Sequence, residues 1–285
     1  MPIRSLVLIL IAAFAHSTWN LLAKRASAAR HLIWFTSLGE AILVLPAALW
    51  VVRDPAVRFD APQVAALVAT GILHLFYGEC LVRGYRTGDL SIVYPVARGT
   101  GPLLSFVGAV VVLGERVLFV ATVGTLCIAA GILVLARAGA RGWQTHRRAI
   151  AWGAVTGVTI AAYTLVDGYA VRALLLPPVL VDYAGNLLRL LVLTVVALRE
   201  RSALAAEYRR CWREALGISI LTPVGYILVL LAMRQATVSH VAPAREVSML
   251  IGAWFGTRLL GEEDPVRRLG GAALIGLGVV ALVIG

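Results

Sequence analysis

RTGDLSIVYPVARGTGPLLSFVGAVVVLGER, residues 86–116, is an apolar run of membrane length with polar and helix-breaking residues in its first half. Tyr94, Pro95, Arg98, Gly99, Gly101 and Pro102 all fall there. A segment that only anchors a chain has no use for an arginine, two prolines and two glycines in hydrocarbon. Such residues at depth face a cavity or another helix, and often mark a transport path. A related stretch, RQATVSHVAPAREVSMLIGAWFGTRLLGEE, returns about 148 positions later at 234–263. Ser91 matches Ser239, Pro95 matches Pro243, Arg98 matches Arg245, and Leu-Gly-Glu at 113–115 returns at 260–262. The chain is therefore an internal duplication.

The rest of the composition fits that reading. Apolar residues make up 60% of the 285 positions, charged residues only 14%, and the mean hydropathy is +0.87, which excludes an ordinary soluble domain. The net charge of +11 sits in short gaps between apolar runs, which suits membrane orientation and argues against nucleic acid as a partner. Cys80, Cys127 and Cys211 are scattered, giving neither a disulfide framework nor a metal-binding spacing. Arg4, the run from Leu6 and Ala13-Phe14-Ala15 resemble a cleavable leader. The run continues to Leu22 and has a counterpart in the second half, so it reads as the first span.

Taking about 20 apolar residues per crossing, spans are expected near 5–23, 33–52, 63–82, 90–113 and 117–136. A second set follows near 150–171, 179–198, 215–233, 238–260 and 267–284. The fold class is all-α and polytopic, with ten helices as two five-helix repeats, 1–140 and 141–285. The longest connection, Arg199–Glu214, leaves no room for a soluble domain. Of the 26 basic residues, 17 fall in gaps on one side, 6 on the other and 3 within spans. The positive-inside rule puts the rich side in the cytoplasm and both termini outside. Five spans per repeat is odd, so the copies are inverted. Matching loops carry opposite charge bias: Arg53 and Arg58 answer the five arginines of 199–213. Inverted repeats are the architecture of alternating-access carriers.

His16-Ser17-Thr18-Trp19-Asn20 with Lys24, and Gly88-Asp-Leu-Ser-Ile-Val-Tyr-Pro-Val-Ala-Arg98, resemble signatures of the drug/metabolite transporter superfamily, EamA type. Leu-Gly-Glu closing spans four and nine resembles it too, and the likeness covers nearly the whole chain. Among its members the chain is most similar to the YddG-type aromatic amino-acid exporters. That resemblance implies a bacterial inner-membrane carrier for amino acids or related metabolites. Efflux of aromatic or cationic drugs is the alternative on the same fold.

Several side chains are candidates for the solute path. His74 and Tyr77 share a face of span three, offering stacking surface and hydrogen bonds, or a bond between helices. Tyr94 precedes Pro95, whose ring frees a carbonyl one turn earlier. Tyr226, four residues after Thr222, again sits near a proline at depth. Trp19 and Asn20 in span one, with Tyr163 and Asp167 in span six, face the same region; Asn20 has an interhelical bond as its other reading, and Trp19 an interfacial anchor.

The charges Glu40, Arg98, Arg189, Arg245 and Glu246 need partners, since an unpaired one at mid-bilayer costs about 2.5–3.5 kcal/mol. Glu79 reaches Arg83 at i, i+4. Glu40 and Arg189 occupy matching positions, and Glu246 is placed to neutralise either Arg98 or Arg245. These charges hold the bundle and bias its states, or else meet a solute carboxylate. Gly99, Gly101 and Pro102 let span four bend or pack closely.

No phosphate-binding Gly-x4-Gly-Lys-Ser/Thr occurs, so ATP is not expected to act directly, and no cofactor is implied. His16, His31, His74, His146 and His240 are dispersed, which disfavours an intramembrane lipid enzyme. The expected partners are a small solute and membrane lipid, the chain being a monomer or weak homodimer.

Overall fold

The computed structural model describes residues 1–26, 29–87, 90–137, 147–251, 254 and 265–284. Within them the chain is helical. The helices are α1 (Ile3–Arg25), α2 (Leu32–Val52), α3 (Ala61–Thr87), α4 (Leu90–Val111), α5 (Phe119–Arg137), α6 (Arg147–Arg172), α7 (Pro178–Arg199), α8 (Arg201–Gln235), α9 (Val238–Ala244) and α10 (Pro265–Ile284). Six of these (α1, α2, α3, α6, α7 and α8) contain apolar stretches of spanning length. The apolar stretches in α4, α5 and α10 are shorter, at Val96–Val111, Phe119–Val134 and Gly270–Ile284. The protein is a polytopic helical membrane protein.

Two expectations about boundaries change. Arg199–Glu214 is not a loop: α8 begins at Arg201 and runs 35 residues. At about 1.5 Å per residue that exceeds the roughly 30 Å of hydrocarbon, so the arginine-rich first turns project beyond it. Span nine is not one regular helix either. Pro243 sits inside α9, and the chain tightens into a 3-10 turn at Arg245–Val247 before helix resumes at 248–251. Proline removes one amide and crowds the preceding turn, and short 3-10 pieces within a helix often mark hinges. By contrast α4 stays helical through positions 95, 99, 101 and 102, and α8 through Pro223.

Small residues set the closest helix contacts. A Cβ on Gly131 of α5 would lie 2.7 Å from the Gly271 carbonyl oxygen of α10, and one on Gly124 2.7 Å from that of Gly278. Gly101 of α4 packs on Ile160 of α6. These glycines let backbones approach where lipid gives helices no hydrophobic reason to associate. The other long neighbours are α1 with α8, α3 with α6, and α2 with α7.

Polar contacts seal the two ends. On one face, the Met1 ammonium donates to the Val283 carbonyl at 3.0 Å, so the start of α1 and the end of α10 lie together. Gly114, with φ of 66°, turns the chain beyond α4 through a left-handed conformation that suits glycine. The turn brings Glu115 back over α9. Its carboxylate accepts from the Val238 and Ser239 amides, each at 2.9 Å, and pairs with Arg172 at 2.7 Å. This gives Leu-Gly-Glu at 113–115 a physical role; its copy at 260–262 lies outside the described residues. On the opposite face His31 bridges the start of α8, with Nδ1 2.6 Å from Glu207 and Nε2 3.3 Å from Glu200.

Candidate functional site

Between the helices lies a cavity of about 170 Å³, lined from α1, α2, α3, α4, α6, α7, α8 and the 3-10 turn after α9. Its middle is aromatic. His74 stacks on Tyr163 with centroids 4.3 Å apart and planes 28° from parallel. Tyr226 meets His74 edge-on at 5.5 Å, and Tyr77 meets Tyr163 edge-on at 5.7 Å. His74 is held by its own helix, with Nδ1 2.9 Å from the Thr70 carbonyl oxygen. Tyr226 donates its hydroxyl to Asp167 of α6. This fixes ring orientation across three helices. Trp19 contacts His16 edge-on at 5.1 Å and donates Nε1 to His16 Nδ1 at 3.2 Å.

Charges gather at two places on the wall. On the α2–α7 side, Arg189 Nη2 lies 3.4 Å from Glu40 Oε2 and 2.8 Å from Asn186 Oδ1, and Nε donates to Ser37 Oγ at 2.9 Å. Asn186 also donates to the Ser37 carbonyl at 3.0 Å. Asp182, one turn before Asn186, is 8% exposed. Two carboxylates and one guanidinium therefore line this side of the cavity. On the α4–α9 side the count reverses: Arg98 Nε lies 3.0 Å from Glu246 Oε2, and Arg245 Nε donates to Glu246 Oε1 at 3.4 Å. Arg98 also donates to Ser248 Oγ at 3.2 Å, while Ser17 of α1 donates to the Ser248 carbonyl at 2.7 Å. The Arg245 guanidinium sits 6.0 Å above the Tyr163 ring, within reach of a cation–π contact.

Residues 3–137 match the EamA-like transporter family. One solved crystal structure superposes with a TM-score of 0.70 over 99% of this chain and 97% of that one, at 17% identity. At that identity the likeness concerns the fold alone. No curated protein matches in sequence. The EamA-like match supports a membrane transporter of the drug/metabolite type.

The structure brings together most of the residues singled out from sequence. Trp19, Glu40, His74, Tyr77, Arg98, Tyr163, Arg189, Tyr226 and Arg245 line one cavity. Glu246 is fully buried behind the two arginines it serves. Asn20 stands apart, its Nδ2 donating to the His16 carbonyl of its own helix at 2.7 Å. Gly101 makes a tight contact with Ile160, whereas a Cβ on Gly99 would have 3.7 Å to Ile132. Pro102 and Pro243 are buried in α4 and α9. The side chains of Tyr94 and Pro95 lie outside the described residues. Glu79 pairs with Arg83 at 2.7 Å on an exposed surface.

Sequence reasoning passed over His16, Asp182 and Asn186. The last two had a signal: Asp182, Asn186 and Arg189 recur at i, i+4, i+7, a polar stripe on an otherwise apolar helix. Among the described residues, no group of three or more His, Cys, Asp or Glu is placed to hold a metal ion.

Proposed function

We propose that the protein is a secondary carrier of the bacterial inner membrane that exports neutral or aromatic amino acids, or closely related small metabolites. Export proceeds by alternating access, with residues 1–140 and 141–285 as the two rocking units. Both termini face the periplasm, in keeping with the basic side of the chain facing the cytoplasm. The observation that carries this reading is the cavity itself. It couples rings for an apolar side chain with charges of both signs, inside helices that cross the membrane.

Its size favours the amino-acid reading over drug efflux. Drug-sized ligands occupy about 300–1,000 Å³, whereas about 170 Å³ is present here. Three arginines in the wall also work against a purely cationic drug. Counterflow into proteoliposomes with a panel of labelled amino acids tests the reading. Uptake of at least one, abolished by removing the protein, is expected; uptake of none sinks the amino-acid assignment.

A further inference from the structure

The two charged places in the wall are complementary in sign. Glu40 pairs with Arg189 and Asp182 adds a second carboxylate to the same wall, leaving one formal negative charge over; Arg98 and Arg245 stand against Glu246, leaving one positive. Each place also holds a buried polar atom with no hydrogen-bond partner among the described residues: Asp182 Oδ2 and Arg245 Nη2. Buried polar atoms in folded proteins are nearly always partnered, so such an atom on a residue that lines a cavity points to water or a ligand. Here one is an acceptor, the other a donor, and their residues line the same cavity. His74, Tyr163 and Tyr226 belong to that wall as well.

We propose that Asp182 and Arg245 are the residues that read a zwitterion, Asp182 taking its ammonium and Arg245 its carboxylate, with the solute's side chain against the His74–Tyr163–Tyr226 rings. The assignment rests on the amino-acid reading above and sharpens it. A zwitterion neutralises both excess charges at once. An amine lacking the carboxylate leaves Arg245 Nη2 buried and unpaired, and a carboxylic acid lacking the ammonium does the same to Asp182. A site built on buried polar contacts rejects the analogue that lacks one of them far more strongly than an apolar pocket rejects a missing methylene. Glu40 and Arg98 differ in role: Glu40 pairs with Arg189, and Arg98 is bonded to both Glu246 and Ser248.

The test is competition against counterflow of labelled L-phenylalanine and L-leucine in proteoliposomes. The competitors are the decarboxylated amines (2-phenylethylamine, 3-methylbutylamine) and the deaminated acids (3-phenylpropionate, 4-methylpentanoate). On the unmodified protein each singly charged analogue is expected to compete at least tenfold less well than its parent. Asp182→Asn should weaken the amino acids tenfold or more and leave the acids unchanged. Arg245→Gln should weaken the amino acids similarly and leave the amines unchanged. A structural role would depress every ligand alike. If Arg245→Gln fails to fold, Arg245→Lys keeps the charge and should retain the preference for zwitterion over amine.

Equal competition by parent and analogue on the unmodified protein overturns the assignment. So do parallel losses for all ligands in a folded variant, which leave amino-acid export standing. No counterflow of either amino acid by the unmodified protein removes both this assignment and its basis.

Discussion

Arg189 Nη2 of α7 lies 3.4 Å from Glu40 Oε2 of α2, and the two residues stand 149 positions apart in the chain. The neighbouring bond from Asn186 to Ser37 spans 149 positions as well, and Arg98 and Glu246 are separated by nearly the same interval. That interval is the offset at which the sequence repeats. In a two-fold arrangement, equivalent positions touch only beside the axis. The proposed halves would therefore meet along the cavity wall, with the unlike charges of Glu40 and Arg189 at matching places.

The Glu40–Arg189 contact gives the first prediction. Glu40 is 2% exposed, and removing one member of a buried pair costs about 3–5 kcal/mol because the other charge is stranded. Arg189→Met alone should lower the melting temperature of the purified protein sharply. Adding Glu40→Met should recover most of that loss. Additive losses in thermal melts of the cycle would show that the pair is not coupled.

Glu115 gives the second. Its carboxylate takes two backbone amides of α9 and the Arg172 guanidinium, but its partner's side chain is 38% exposed. Bonds to a charged group contribute about 1.5–3 kcal/mol each, while a half-exposed ion pair contributes about 0–1 kcal/mol. Glu115→Ala should therefore destabilise the protein several times more than Arg172→Ala. An equal effect of the two, measured by thermal melting, would mean that the amide contacts contribute little.

Two glycines of α10 and its partner make a matched comparison. A methyl group on Gly131 meets the Gly271 carbonyl oxygen at 2.7 Å, while one on Gly276 meets nothing within 4 Å. Gly131→Ala should cost about 1–3 kcal/mol as an overpacked contact. Gly276→Ala should be neutral, or stabilising by up to about 1 kcal/mol, because alanine favours helix. Folded yield in detergent and melting temperature check both.

Orientation is the fourth. The Met1 ammonium touches the Val283 carbonyl, so the two ends lie on one face, which the proposed topology puts outside. A reporter fused after Gly285 that works only in the periplasm should be active, and one that works only in the cytoplasm silent. The reverse pattern would invert the topology.

Much of the fold was legible in advance. Length and hydropathy place α1–α7 within a few residues, since one helix needs about 20 apolar residues wherever it crosses. They misplaced the start of α8. A charged amphipathic segment such as Arg201–Glu214 has no hydropathy signal, yet nothing breaks the helix between Arg201 and Gln235. The site was legible in part. His74 and Tyr226 stood out as polar rings at depth and Tyr163 had no special spacing, and the 4.3 Å stack of His74 on Tyr163 across α3 and α6 depends on how those helices cross.

What the sequence by itself determined is therefore the all-helical polytopic class, the approximate bounds of most helices and the kinds of residue that hydrocarbon would not tolerate unpaired. Those follow from local rules: the thickness of a bilayer and the cost of a bare charge within it. Only the tertiary structure decided the pairing. Glu246 serves both Arg98 and Arg245, Glu40 goes to Arg189, and Glu115 caps a helix 123 positions away. It also left Asp182 Oδ2 and Arg245 Nη2 without partners among the described residues. Such relations are set by packing between distant segments, where a rotation of one helix changes which side chains face one another.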